Sequence, residues 1–379
     1  MLPLFLTLLL APQVAAPAAP QEAAHASPYA RWSNGPPQDP SWFPIGVWLQ
    51  DPSLAQRYKE LGINTFVGLW QGPTREQLRQ LKQAEISVIC SMNKQALEQA
   101  DRTTIIGWMQ EDEPDNQKIE PAKLLARYEQ MTQRDPTRPV WLNLGQGVAN
   151  DQWKGRLSPR EWYPQYAGTA DILSFDVYPI TNIKRDDGAE YLWWIAKGLE
   201  RMQRWSQSQK PLWNLIECTR VHQAELKPTP AQVESEVWIS LINGSQGIVY
   251  FCHNFNPRTQ PAGLLLDQEM SQAVGAINAR VLRYAEVLNR PSVLDLVELE
   301  SSDPKAQVAV MVKRLDGWTY LFCVGMRNKS TKARLRLKGS SWSGNLQVLD
   351  EKRNVPMREG AFEDSFEPYQ VHLYRLREL

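Results

Sequence analysis

Two glutamates stand where apolar, strand-forming runs end: Glu113 in Gln110-Glu111-Asp112-Glu113-Pro114, and Glu217 in Trp213-Asn214-Leu215-Ile216-Glu217. A carboxyl held at such an end can hand a proton to a leaving oxygen, and a second one can attack as nucleophile or activate water. That pair is the equipment for breaking a glycosidic bond. Pro114 stops the strand behind Glu113 and presents the side chain at the rim. Glu111 and Asp112 add like-charge repulsion, which raises the proton affinity a general acid needs. The same Glu-Asp-Glu-Pro-Asp run also fits a solvated acidic loop. Glu217 lies among apolar neighbours, where an unpaired charge is costly. Arg220, close behind, offers a buried ion pair as the alternative.

Other polar and aromatic residues fall at the same kind of position. Tyr178, in Asp176-Val177-Tyr178-Pro179, is expected beside Glu217, where its phenol can orient a nucleophilic carboxylate. Asn143 is expected beside Glu113, within reach of a sugar hydroxyl or of the acid itself. Gln146, His253 and Asn254 follow strand ends and are further polar candidates. Fifteen tryptophans are a clear excess. Trp48 and Trp70 lie where a flat ring can stack on a pyranose face. Trp108 has a similar position, whereas Trp193, Trp194, Trp205 and Trp238 fall on helical stretches and read as packing.

The elements that must carry these residues alternate. Between residues 43 and 290, eight short β-type runs are separated by amphipathic helical stretches, the pattern of a parallel sheet with helical crossovers. The runs are 43–49, 63–69, 86–91, 104–110, 139–144, 171–178, 212–217 and 247–252. Helices are expected at 52–61, 74–84, 120–133, 189–207, 229–243 and 268–289. Eight units in roughly 250 residues is the size of a (β/α)8 TIM barrel. A doubly wound sheet would need a glycine-rich phosphate loop after its first strand, and Gln50-Asp51-Pro52-Ser53 stands there instead. After Pro291 the pattern becomes alternating runs at 307–314, 318–324, 333–337, 346–350, 361–366 and 371–376, a small all-β sandwich. The expected organisation is a signal peptide at 1–26, a catalytic barrel at 27–290 and a C-terminal β-sandwich at 291–379.

The 379 residues are 42% hydrophobic and 22% charged, enough to bury a large core. Lys plus Arg (42) equals Asp plus Glu (42), so no basic field collects phosphates, which argues against nucleic acid and anionic membranes as partners. Residues 1–11 are apolar over the length of a signal-peptide core, and Ala24-His25-Ala26 is a plausible cleavage site, so a secreted or periplasmic mature chain is expected to begin near Ser27. No other stretch is apolar for long enough to span a bilayer. Cys90, Cys218, Cys252 and Cys323 are too scattered for a disulfide scaffold; Cys218 and Cys252 fall on neighbouring strands and can meet, or remain small buried hydrophobes. Four histidines without ligand spacing call for no catalytic metal, and no cofactor motif occurs.

With its acidic residue pair before Pro114 and a glutamate ending the seventh strand, the chain resembles the clan A glycoside hydrolases, retaining (β/α)8 enzymes. The resemblance covers residues 43 to about 290, and Phe366-Glu367-Pro368-Tyr369-Gln370-Val371-His372-Leu373-Tyr374 looks like the closing strand of the β-sandwich often appended to them. It implies that Glu113 is the acid/base and Glu217 the nucleophile, with a carbohydrate substrate. Asp112 stands where that clan has Asn, the residue that contacts the sugar 2-hydroxyl; an aspartate accepts from that hydroxyl but does not donate. The expected function is therefore a secreted retaining glycoside hydrolase using double displacement. Two rival readings are a non-catalytic carbohydrate-binding barrel and an inverting hydrolase pairing Glu111 or Asp112 with Glu217.

Overall fold

The computed structural model describes residues 27–98, 103–151, 158–181, 187–221 and 223–377, so the expected signal segment lies outside the described residues. Eight parallel strands close into a barrel in chain order: β1 (Ile45–Trp48), β2 (Thr65–Val67), β3 (Ser87–Cys90), β4 (Ile105–Met109), β5 (Val140–Leu144), β6 (Ile172–Phe175), β7 (Leu212–Glu217) and β8 (Ile248–Phe251), which pairs back onto β1. All eight fall within the expected runs. Nearly every strand residue is buried, because the helices cover the outside and side chains fill the inside. The interior carries Trp48, Val67, Ile89, Ile106, Trp141, Ile172, Trp213, Leu215, Val249 and Phe251.

The chain before β1 plugs the N-terminal end of this barrel. The Tyr29 hydroxyl donates to the Gln246 carbonyl (3.0 Å) and accepts from Trp213 Nε1 (2.8 Å), and Arg31 pairs with Asp171 just ahead of β6. The opposite end is left open for chemistry.

Helices form where local signals start them. Thr74 and Thr229 each close a capping box, with Gln77 and Gln232, ahead of the helices Arg75–Ala84 and Pro230–Ile242. The long helix expected at 268–289 breaks at Tyr284 into Gln268–Arg283 and Ala285–Leu288. Gly198, in the helix Trp194–Trp205, lets that helix lie against β6: a Cβ there would meet the Phe175 ring at 2.3 Å. Phe175 is itself fully buried and has nowhere to move. Gly198→Ala is therefore expected to destabilise the protein by about 1–3 kcal/mol, read as a lower denaturant midpoint at unchanged slope.

The C-terminal part holds eight antiparallel strands in two sheets. One has the order β10-β11-β16-β13-β14 and the other β15-β12-β9, where β9 is Val297–Ser301, β10 Val308–Leu315, β11 Trp318–Gly325, β12 Thr331–Leu337, β13 Gly344–Val348, β14 Arg353–Met357, β15 Ala361–Phe366 and β16 Val371–Arg377. Two of them, β9 and β14, were not among the expected runs. Pro356 interrupts the pattern of β14, and it is tolerated because β14 is an edge strand. The inner faces share a core of Val312, Leu321, Leu335, Leu346 and Tyr374.

The two parts are joined by packing and by charge. Trp238 stacks on Phe322 at 6.0 Å, and Arg280 and Arg283 both reach Asp350. Among the described residues, no helix is long and apolar enough to cross a membrane.

Candidate active site

Loops after the barrel strands enclose a cavity of about 820 Å³, within the size range of small-molecule sites. Its wall includes the carboxyls Asp51, Asp112, Glu113 and Asp176, the amides Gln50, Asn116 and Gln146, and the rings Trp48, Trp70, Tyr178, Phe251, His253 and Phe255. No lysine or arginine of the described residues lines it.

Glu113 is built with strain. Its φ is +42°, the left-handed region that non-glycine residues avoid at a cost of about 1–3 kcal/mol. Its N–H donates to the Asn143 carbonyl (3.1 Å), and its own carbonyl accepts from the Asn116 N–H (3.0 Å), so strand β5 and the following turn hold the unusual shape. Beneath the turn, the buried Asp115 accepts from the Gly145 N–H (2.9 Å) and the Tyr163 hydroxyl (2.8 Å). Burial pushes the Asp115 carboxyl up to about 6.

Asp176 follows β6 and faces Glu113. Tyr178 donates to the Asp176 Oδ2 at 3.2 Å, and Glu113 lines the same cavity. Burial, then the charge of Glu113, hold the Asp176 carboxyl well above the usual carboxylate range. Asp112 accepts from Asn143 Nδ2 at 3.2 Å; burial and then Glu113 push it up to about 7. Three crowded carboxyls cannot all ionise, and a cavity that keeps protons on acids at neutral pH is suited to acid–base chemistry.

The expected partner of Glu113 stands elsewhere. Glu217 is fully buried and is not among the cavity-lining residues, although Phe251, its register partner in β8, is. Its oxygens accept from the Ile180 N–H, the Thr181 N–H and the Thr181 hydroxyl, so the structure does not assemble Glu113 with Glu217 as expected. Nor is Glu217 in an ion pair with Arg220, whose N–H binds Asn254 and whose charge bears on Asp267. Tyr178 correspondingly serves Asp176 and not Glu217.

Asn143 lies behind the wall, its amide spent on Asp112 and its Oδ1 accepting from Ser174 (2.9 Å). Glu111 pairs with Arg127 away from the cavity, and Asn254 bridges to Gln260. Trp48, Trp70, Asp112, Tyr178, His253 and Gln146 line the cavity. His253 Nε2 faces the Trp48 carbonyl (3.3 Å), which requires its proton on that nitrogen; burial lowers its pKa and keeps the ring neutral. Trp108 is buried, its Nε1 bound to Asp135 (3.1 Å). All four cysteines are buried thiols.

Asp176, Asn116 and Phe255 escaped the sequence reading. Asp176 carried a usable signal, since it is a carboxylate near the end of the expected strand 171–178, shortly before Pro179. Trp70 and Phe255 are 68% and 44% exposed at the mouth, unusual for large apolar rings unless they meet a ligand.

No protein-family model matches the chain, and no curated protein does. Solved structures match it in fold. A variant of AmyP in complex with maltotriose aligns at a TM-score of 0.55 over 90% of this chain and 98% of that one, at 9% identity. AmyP in complex with maltose gives 0.54 at 9% identity over 89% and 97%. A catalytic mutant of Gan42B, a GH42 beta-galactosidase from G. stearothermophilus, gives 0.53 at 8% identity over 92% and 100%. The class defined is a TIM barrel followed by an antiparallel β-sandwich.

Proposed function

We propose that this protein is a glycoside hydrolase whose chemistry runs on Glu113 and Asp176. The observation that carries the reading is the placing of these two carboxyls on the wall of one aromatic-lined cavity, with Glu113 held in a strained backbone. In this reading Asp176, whose carboxyl is raised by burial, is the donor to the leaving oxygen and Glu113 is the nucleophile or base. Motif alone would make Glu113 the acid. Tyr178 orients Asp176, and Asp112 accepts a sugar hydroxyl. The maltotriose and maltose bound in the AmyP structures agree with a carbohydrate ligand. The apolar leader before Ser27 supports export.

Four wall carboxyls, faced by no lysine or arginine among the described residues, favour uncharged sugars over uronates and sulfated glycans. The test is a panel of aryl glycosides and neutral oligosaccharides beside anionic ones, with the first-released anomer followed by NMR. Turnover of a neutral glycan with retained configuration supports double displacement. Binding without any release of reducing ends would replace the enzyme with a sugar-binding barrel.

A further inference from the structure

Outside the cavity, two carboxyls meet in the barrel wall. Glu217 ends β7 and Glu236 lies in the helix Pro230–Ile242; both have no solvent exposure. Glu217 Oε1 accepts from the Ile180 N–H at 2.6 Å, and Oε2 accepts from the Thr181 N–H at 2.9 Å and the Thr181 hydroxyl at 2.5 Å. Neither Glu236 oxygen has a hydrogen-bond partner. Asn214 of β7 donates to Ser240, one helix turn along from Glu236, which sets this face of the helix against β7, and the charge of Glu217 bears on the Glu236 carboxyl.

Two neighbouring buried carboxyls do not both ionise. Glu217 already accepts three hydrogens, which suits the ionised form, so Glu236 is the acid. Burial and then the Glu217 charge raise Glu236 well above the carboxylate range. Burial pushes Glu217 up to about 7, against the lowering effect of Thr181 and Ile180. Among the described residues, the groups facing the pair are the 180–181 donors and, nearby, the Cys218 and Cys252 thiols at the ends of β7 and β8, none of them a cation. An apolar or singly ionic solution would cost less, so the pair calls for a purpose.

That purpose is legible in what it holds. Asp176-Val177-Tyr178-Pro179-Ile180-Thr181 is one continuous segment, and its first part supplies Asp176 and Tyr178 to the cavity. We propose that Glu217 and Glu236 share one proton and act together as positioning residues, the ionised Glu217 clamping residues 180–181 and so aiming Asp176 and Tyr178. The purpose of that aim rests on the glycosidase reading of the cavity; the clamp itself does not.

A pH dependence follows. An acid whose folded pKa is raised adds stability below its unfolded pKa of about 4.3 and loses it as pH rises through the folded value. Loss of the Glu236 proton leaves two buried carboxylates that repel, and the clamp loosens. In Glu236→Gln the amide N–H donates to Glu217 at every pH, so this source of alkaline loss disappears.

Wild type, Glu236→Gln and Glu217→Gln are compared by amide hydrogen exchange at Ile180 and Thr181, thermal unfolding and hydrolysis across pH. Glu236→Gln is expected to match wild-type kcat near neutrality and to extend activity and exchange protection to higher pH. Glu217→Gln, whose amide cannot accept at both oxygens, is expected to speed exchange at both amides and to lower kcat about 100-fold with little change in KM. If no variant or wild type hydrolyses glycans while exchange still responds, the glycosidase reading fails and the clamp stands. Exchange and pH profiles identical in all three proteins would overturn the clamp. So would recovery of Glu217→Gly activity by azide, which would make Glu217 the nucleophile.

Discussion

Glu113→Gln is expected to lower kcat on a neutral glycan by about 10²–10⁴-fold while calorimetry still detects glycan binding. Glutamine keeps the volume and the backbone contacts to Asn143 and Asn116, so the strained turn survives. What is lost is the charge. The Asp112 carboxyl, pushed up to about 7 in part by Glu113, should then titrate lower, because a negative neighbour no longer opposes its ionisation. The Asp176 carboxyl should fall for the same reason. Carboxyl-resolved NMR titration of wild type and variant reads both shifts. Unchanged turnover would remove Glu113 from the chemistry, and unchanged titration of Asp112 would show that burial alone raises it. Azide should partly restore Glu113→Gly if that carboxylate is a nucleophile, since a small anion can enter the space left behind.

Asp176→Asn is expected to cost a comparable factor, but selectively. An asparagine cannot give a proton, so glycosides with poor alkyl leaving groups should lose about 10²–10⁴-fold, whereas activated aryl glycosides, whose leaving groups depart as stable anions, should lose far less. The Tyr178 hydroxyl keeps an acceptor in the asparagine oxygen, so the fold around it should hold. Equal losses on both substrate types would transfer the donor role away from Asp176. Hydrolysis of the two classes at matched pH, reported as kcat/KM, decides it.

Much of the architecture was legible because barrel strands are short apolar runs bounded by turn residues, and helix starts such as Thr74 and Thr229 announce themselves through capping chemistry. Where reading by pattern missed, the reason is local. The strand Arg353–Met357 hides behind Pro356, which only an edge position permits. At the site, strand-end position marked Glu113, Asp112, Tyr178, Trp48, Trp70 and His253, all of which line one cavity. It equally marked Glu217, which is buried in the barrel wall and is not among the residues that line this cavity.

The sequence by itself determined that eight strands would carry carboxyls and aromatic rings to one rim, because periodicity and strand-ending prolines depend only on neighbours along the chain. Which carboxyls meet was decided by the tertiary structure. Glu217 has the strand-end position of a nucleophile, but the backbone N–H groups of Ile180 and Thr181, from the loop after the preceding strand, take its oxygens. Asp176, by contrast, lines the same cavity as Glu113 from two strands further round the barrel. Hydrogen bonding and desolvation act through space, and no spacing along the chain encodes which group reaches a carboxylate first.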